Sequence, residues 1–124
     1  MKENPLKIKS YAFALRIVKL YKFLTVETKE FVLSKQILRS GTSIGANIAE
    51  GNRAQSTLDF IHKLSIALKE AAETEYWLNL LQDGGFLSSE QVKSMLDDCI
   101  ELEKILTASI KTAKAKLEAE KTSN

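Results

Sequence analysis

The 124-residue chain is long enough to form one domain with a buried core and too short to form two. Its net charge of +2 is too small to identify a nucleic-acid-binding protein, and its single cysteine excludes an intramolecular disulfide. Charged residues interrupt every apolar run before it reaches the roughly 18 residues of a membrane span, and no signal segment opens the sequence. We therefore expect a cytoplasmic protein that makes no membrane contact.

The charges are distributed unevenly along the chain. Residues 1–53 contain ten basic and four acidic side chains, whereas residues 54–124 contain eight basic and twelve acidic ones. A partner that carries phosphate groups would therefore meet the first half of the chain. The candidate nucleic-acid contacts in that half are Lys7, Lys9, Arg16, Lys19, Lys22, Lys29, Lys35 and Arg53.

Hydrophobic spacing and capping residues predict four helices and no strand. Residues 1–9 are predicted to be an N-terminal tail. The first helix is predicted over about 10–24, with Ser10 as its N-cap. Its core-facing side chains are spaced by four, three and four residues, and they are Phe13, Ile17, Leu20 and Leu24.

The second helix is predicted over about 26–50, with Thr25 as N-cap and Gly51 after its end. Its core face is predicted to contain Leu33, Ile37, Gly41, Ile44 and Ile48. The outer side carries small or apolar groups, over which another backbone could pass closely. Those groups are Leu38, Thr42, Gly45 and Ala49.

Two capping signatures mark the remaining helices. Ser56 with Asp59 opens a third helix over about 57–83, and Ser88 with Gln91 opens a fourth over about 89–117. The polar residues 118–124 are predicted to be a frayed tail. Three short connections favour sequential antiparallel neighbours, so the prediction is an all-α, antiparallel up-down-up-down four-helix bundle over residues 10–117.

The second helix carries no charge between Arg39 and Glu50, which is typical of a helix that is covered on several sides. Glu75 lies within the predicted apolar arc of the third helix, where a lone carboxylate would be costly. We expect Arg39 to pair with it, in a structural motif or, as the alternative, in an accessible enzyme site. The complete polar motif is Arg39, Ser43, Asn47, Glu50 and Glu75.

Several apolar residues lie outside the predicted core stripes of the first and third helices. Two helix-length rows of this kind favour contact with a second subunit, the alternative being a wider core in which these helices are rotated. The candidate subunit interface consists of Tyr11, Leu15, Val18, Ile66, Trp77 and Leu81.

The residue types needed for enzyme chemistry are sparse. The one histidine, His62, forms a single D-x-x-H spacing with Asp59, whereas a di-iron bundle needs two Glu-x-x-His motifs. Cys99 lies in the apolar stripe of the fourth helix, and there is no glycine-rich phosphate loop. We therefore predict no catalytic residue, metal, cofactor or small-molecule substrate.

The segments Gln36 to Ser40 and Ser43 to Gly51 resemble the signature of the bacterial four-helix-bundle family encoded in intervening sequences of 23S ribosomal RNA genes. The resemblance continues in Phe60-Ile61, in Leu64 to Leu68 and in Glu73-Thr74-Glu75. It covers roughly residues 10–110. Lys69-Glu70 departs from the small residues that many relatives carry there.

This resemblance implies an antiparallel bundle that assembles as a homopentameric ring. The family is similar to the accessory variability protein of diversity-generating retroelements, a pentameric bundle that binds nucleic acid and its reverse transcriptase through basic surfaces. The leading hypothesis is thus a non-enzymatic oligomer that binds RNA or a nucleoprotein partner. The alternative is a protein–protein interaction scaffold without a nucleic-acid role.

Overall fold

The computed structural model describes residues 4–123, which form four long helices joined by three short loops, with no strand among them. This confirms the predicted all-α class. The helices are α1 (Pro5–Val26), α2 (Leu33–Gly51), α3 (Thr57–Asp83) and α4 (Ser89–Thr122).

The helices form an antiparallel up-down-up-down bundle, as the short connections predict. α1 contacts α2 and α4, and α3 contacts the same two helices from the opposite side. Together they enclose one apolar core, because each helix turns one stripe of side chains inward. The largest completely buried side chains are Phe13, Ile17, Leu24, Ile37, Ile44, Ile48, Leu64, Leu78, Leu81, Val92, Leu102 and Leu106.

α1 begins earlier than predicted. Asn4 is its N-cap, where the side-chain oxygen accepts a hydrogen bond from the Lys7 amide, and Pro5 occupies the first turn. Residues 5–9 are therefore helical rather than part of a tail, and residues 1–3 lie outside the described range. Ser10 is buried within the helix instead of capping it.

The loop between α1 and α2 was missed by the sequence prediction, which placed the second helix at about 26–50. α1 continues through Thr25, whose hydroxyl donates to the Tyr21 carbonyl, so this residue is not an N-cap. α2 begins only at Leu33. β-branched Val26, Thr28 and Val32 give this segment low helix propensity, which is a signal that hydrophobic spacing alone does not register.

The predicted capping signatures of α3 and α4 are present. The Ser56 hydroxyl accepts from the Asp59 amide, and Ser88 forms a reciprocal capping box with Gln91. α4 then extends to Thr122, beyond the predicted end near residue 117. The segment after Leu117 consists largely of alanine, glutamate and lysine, which favour helix even without a core to cover.

The core face of α3 is rotated relative to the prediction. Apolar spacing places Ala72 on the core face beside Ala71, but Ala72 is exposed, while Thr74, Leu78 and Leu81 are completely buried. The Thr74 hydroxyl is hydrogen-bonded to the Ser40 hydroxyl of α2 at 2.9 Å, which allows two polar groups to lie between apolar layers. A buried polar pair of this kind is invisible to hydrophobic periodicity.

Candidate functional site

The eight candidate nucleic-acid contacts divide into two groups. Two of them are bound to α4 within the same chain: Lys9 Nζ lies 2.8 Å from Glu101 Oε1, and Arg16 pairs with Asp98 and donates to the Ser94 hydroxyl at 2.9 Å. The other six form no ion pair with a carboxylate of residues 4–123, and they are Lys7, Lys19, Lys22, Lys29, Lys35 and Arg53.

These six side chains belong to residues that are all exposed. Lys19 and Lys22 share the outer face of α1, since residues three and four apart lie on one side of a helix. Lys29 lies in the α1–α2 loop and Lys35 in the first turn of α2. The α1–α2 loop and the helical turns that flank it therefore carry four lysines that form no ion pair within the described part of the chain.

The predicted pair of Arg39 with Glu75 is absent. Arg39 instead pairs with Glu70, 3.0 Å from Nη1 to Oε2, and with Glu73 on α3. Hydrogen bonds from Trp77 and then from Arg39 hold the pKa of Glu73 below its usual value. The rotation of α3 explains the error, because it turns Glu70 and Glu73 toward α2 and Glu75 toward α4.

The other members of the polar motif make local contacts. The Ser43 hydroxyl donates to the Arg39 carbonyl at 2.6 Å, and the Asn47 amide donates to the Ser43 carbonyl at 2.9 Å. Glu50 pairs with Lys63 on α3 at 3.0 Å. Arg39 is half-exposed and pairs with Glu70 and Glu73 instead of Glu75. The enzyme-site alternative therefore lacks the contact between Arg39 and Glu75 on which it was based.

Glu75 faces Glu103 across the α3–α4 interface, beside the buried thiol of Cys99. Partial burial, and then hydrogen bonding and repulsion from Glu75, raise the pKa of Glu103 to about 7. The Cys99 thiol donates to the Ala71 carbonyl at 3.2 Å, and burial raises its pKa far above the usual range. Cys99 is therefore a core residue and a poor nucleophile.

A shallow apolar groove of about 850 Å³ runs between α1 and α2. On one side it is lined by Ile8 and Tyr11, and Tyr11 is 68% exposed. The α2 side consists of small groups, which let another backbone approach closely. Those groups are Thr42, Gly45, Ala46 and Ala49.

The residues of the candidate subunit interface differ in their exposure. Leu15 is 50% exposed on α1, and Val18 is half-buried. On α3, Ile66 is half-buried and Trp77 donates its indole N–H to Glu73 at 3.0 Å. Leu81 is completely buried, so its assignment to a surface row was wrong; here the alternative of a wider, rotated core applies.

Residues that sequence reasoning undervalued lie in the α1–α2 loop. From the sequence, Phe31 fits a packing role as easily as base stacking, yet it is 54% exposed. Glu30, which carried no prediction, is buried, and its carboxylate accepts hydrogen bonds from the backbone amides of Val32, Leu33 and Ser34. It thus takes the place of an N-cap side chain for α2, whose own N-cap residue Val32 provides none.

Across residues 4–123, no cluster of three or more histidine, cysteine, aspartate or glutamate side chains could hold a metal ion. In the same range, no helix has an apolar stretch long enough to cross a membrane.

Residues 2–108 match the family model of the 23S rRNA-intervening sequence protein. The fold is similar to a crystal structure from Bacteroides thetaiotaomicron VPI-5482, described as a protein with unknown function from the S23 ribosomal protein family. The two chains are 61% identical with a TM-score of 0.85, over 86% of this chain and 98% of the other. No curated protein matches this chain.

Proposed function

Because the chain belongs to the 23S rRNA-intervening sequence protein family, in which its structural relative has no assigned function, we propose a function from its surfaces. The protein is a non-enzymatic homo-oligomer that binds RNA, free or within a nucleoprotein, through the basic side of α1 and α2. It acts in the cytoplasm.

The observation that carries this proposal is the set of six exposed basic residues that form no ion pair with a carboxylate among residues 4–123. Ion pairs with Glu101 and Asp98 occupy Lys9 and Arg16, so the nucleic-acid contacts reduce to the other six. A lysine that is already paired must lose that contact to reach a phosphate, whereas an unpaired one releases only counterions from the RNA. Binding through such contacts weakens steeply with salt and depends little on base sequence.

Self-association multiplies this surface. The largely apolar groove between α1 and α2, in which Lys7 is the one charged residue among the described residues that line it, offers exposed Tyr11 beside the small groups of α2. This combination is suited to close contact with a second copy. The resemblance to pentameric bundles favours five copies. A ring would present the same lysines repeatedly along one RNA chain, so that weak contacts add through effective concentration. We include in this proposal that the chain is similar to the accessory variability protein of diversity-generating retroelements.

Paired charge reversals test the location of binding. Lys19→Glu/Lys22→Glu should abolish retention of a labelled RNA at low salt, measured by fluorescence anisotropy. The matched control is Lys111→Glu/Lys114→Glu, which makes the same charge change at exposed residues of α4 and should retain most binding. Equal loss in both variants, or wild-type binding by the first, would contradict the proposed surface.

The alternative function is a protein–protein scaffold that uses the acidic residues of α4. Several of these residues are engaged within the chain: Asp98 pairs with Arg16, Glu101 with Lys9, and Asp97 with Lys93. Little unpaired acidic surface is left for a basic partner. A scaffold would keep its protein partner after reversal of Lys19 and Lys22, which separates the two functions.

A further inference from the structure

The α1–α2 connection presents apolar side chains to solvent beside lysines. Val26, Phe31 and Val32 are 60%, 54% and 70% exposed; Lys29 lies between Val26 and Phe31 in the sequence, and Lys35 follows Val32 by three residues. We call these five residues the loop tip. Exposed apolar residues that are adjacent, as Phe31 and Val32 are, are of the kind found at binding surfaces.

The loop tip is held in one conformation. The Glu30 carboxylate accepts three backbone N–H groups at 2.7 to 3.1 Å, and the Glu30 amide donates to the Leu24 carbonyl at 2.9 Å. These contacts join the end of α1 to the start of α2. Phe31 is thus presented on a fixed backbone, which lowers the entropy lost when a ligand binds.

Lys29 adopts a left-handed backbone conformation with φ of 57°. Glycine or asparagine would occupy this conformation at lower cost, since a lysine Cβ is crowded there. The chain nevertheless carries a cation at this position, two residues before Phe31. The backbone conformation therefore does not account for a lysine at this position.

The charged residues around the loop tip determine which class of partner it can bind. Lys22 lies one helical turn before Val26 on the same side of α1, and Lys19 lies one further turn back. The nearby Glu30 is buried with its charge directed to the amides at the start of α2, so Glu27 is the exposed carboxylate of the loop. An aromatic face between unpaired lysines complements a base between phosphates.

We propose that the loop tip binds single-stranded RNA, with one unpaired base stacked on Phe31 and its flanking phosphates held by Lys29 and Lys35. This inference rests on the proposed function and adds a strand preference to it. A duplex keeps its base faces covered by stacking, so it can use the lysines but not Phe31. Tyr11, the exposed aromatic of α1, lies instead in the largely apolar groove between α1 and α2, whose one charged lining residue within 4–123 is Lys7.

Phe31→Ala and Phe31→Tyr, compared on a labelled single strand and a duplex of equal length, test the stacked base. Phe31→Ala should weaken binding to the single strand by roughly 5-fold or more, the effect of one stacked base, and leave the duplex unchanged. Phe31→Tyr should restore single-strand binding. The matched control is Tyr76→Ala, which removes an exposed aromatic of α3 that lies next to Glu75 and should have no effect.

Lys29→Gly tests the charge separately from the fold. It should leave the unfolding midpoint unchanged or raise it, because glycine relieves the left-handed strain, while binding to both RNA forms weakens. Weaker folding with unchanged RNA affinity would show that Lys29 is a turn residue only.

Three results would overturn the loop-tip assignment. Only the second of them would also overturn the proposed function. Single-strand binding that is unchanged by Phe31→Ala would leave RNA binding intact and reject stacking. Wild-type protein that binds neither RNA form would reject the proposed function as well. Phe31-dependent binding to phosphatidylserine-containing vesicles, without Phe31 dependence on RNA, would assign the loop tip to a membrane surface.

Discussion

Gly41 of α2 packs directly against the side chain of Ile17 in α1. A Cβ added to Gly41 would lie 2.6 Å from Ile17 Cγ1 and within 2.9 Å of its Cδ1 and Cγ2 atoms. Ile17 is completely buried and β-branched, so it has no space and few rotamers with which to move away. The absence of a side chain at residue 41 thus sets the distance between the two helices that carry the proposed interfaces.

Gly41→Ala should therefore destabilise the bundle. Overpacking costs about 1–3 kcal/mol, and the better helix propensity of alanine returns up to about 1 kcal/mol, so we expect a net loss of about 1–2 kcal/mol in denaturant unfolding. Gly45→Ala is the control, measured at a protein concentration low enough that the proposed subunit contact beside Gly45 does not form. A Cβ added to Gly45 would lie 3.4 Å from the Ser10 carbonyl oxygen, an ordinary contact, and the change should stay within about 1 kcal/mol. Equal effects would show that α1 and α2 can separate at little cost.

The contact between Glu75 and Glu103 predicts how stability depends on pH. The pKa of Glu103 rises from 4.5 to about 7 on folding, so the folded protein keeps a proton that the unfolded chain releases. The contribution of this proton to the free energy of unfolding is fully present below pH 4.5 and is lost as the pH rises through 7. Glu103→Gln should match wild type near pH 5 and be more stable at pH 8, by roughly 1 kcal/mol after allowance for solvent screening.

Thermal unfolding of wild type and Glu103→Gln across this pH range measures the difference directly. Glu101→Gln serves as a control on the same helix, because Glu101 is an exposed partner of Lys9 rather than of another carboxylate. A constant difference between wild type and Glu103→Gln from pH 5 to 8 would contradict a shared proton.

Arg39 should contribute little to stability, although it makes two ion pairs. Its side chain is 50% exposed, and pairs in such positions are typically worth up to about 1 kcal/mol. We expect Arg39→Ala to cost about 1 kcal/mol or less in denaturant unfolding. A loss of about 3 kcal/mol or more would indicate that the pair is covered in an assembly, where the unpaired glutamates would be buried.

The groove between α1 and α2 predicts an asymmetric effect of two tyrosine substitutions. Tyr11→Glu places a charge beside the groove and should dissociate the oligomer, because an unpaired carboxylate is costly in an apolar contact. Tyr76→Glu introduces the same charge at an exposed tyrosine of α3 and should leave the assembly intact. Sedimentation velocity distinguishes the two. Dissociation by Tyr76→Glu alone would place the interface on α3.

Sequence periodicity was sufficient for the helix count, the connectivity and the core stripe of α1, in which Phe13, Ile17, Leu20 and Leu24 are all buried. It was insufficient for α3. There the core includes Thr74, which is polar but satisfied by Ser40 and by the Glu70 carbonyl. A helical wheel that ranks residues by hydrophobicity excludes such a threonine from the core face. The predicted core face of α3 was therefore rotated, and Arg39 was wrongly assigned as the partner of Glu75.

The candidate surfaces were predictable only in part. Lysines can be counted in a sequence, but whether Lys9 meets Glu101 or Lys19 meets no carboxylate depends on how helices far apart in sequence are aligned. The loop tip was hidden for a different reason. Its conformation depends on Glu30, a buried carboxylate that caps α2 from the preceding loop, and no capping rule assigns that role to a residue three positions before the helix.

The most direct test of an RNA-binding oligomer is the mass of the purified protein by light scattering, alone and mixed with RNA at low and moderate salt. We predict a mass of several chains, with five expected, and an added RNA mass at low salt that is lost at moderate salt. A monomer whose mass does not change with RNA at either salt concentration would contradict both the assembly and the basic binding surface.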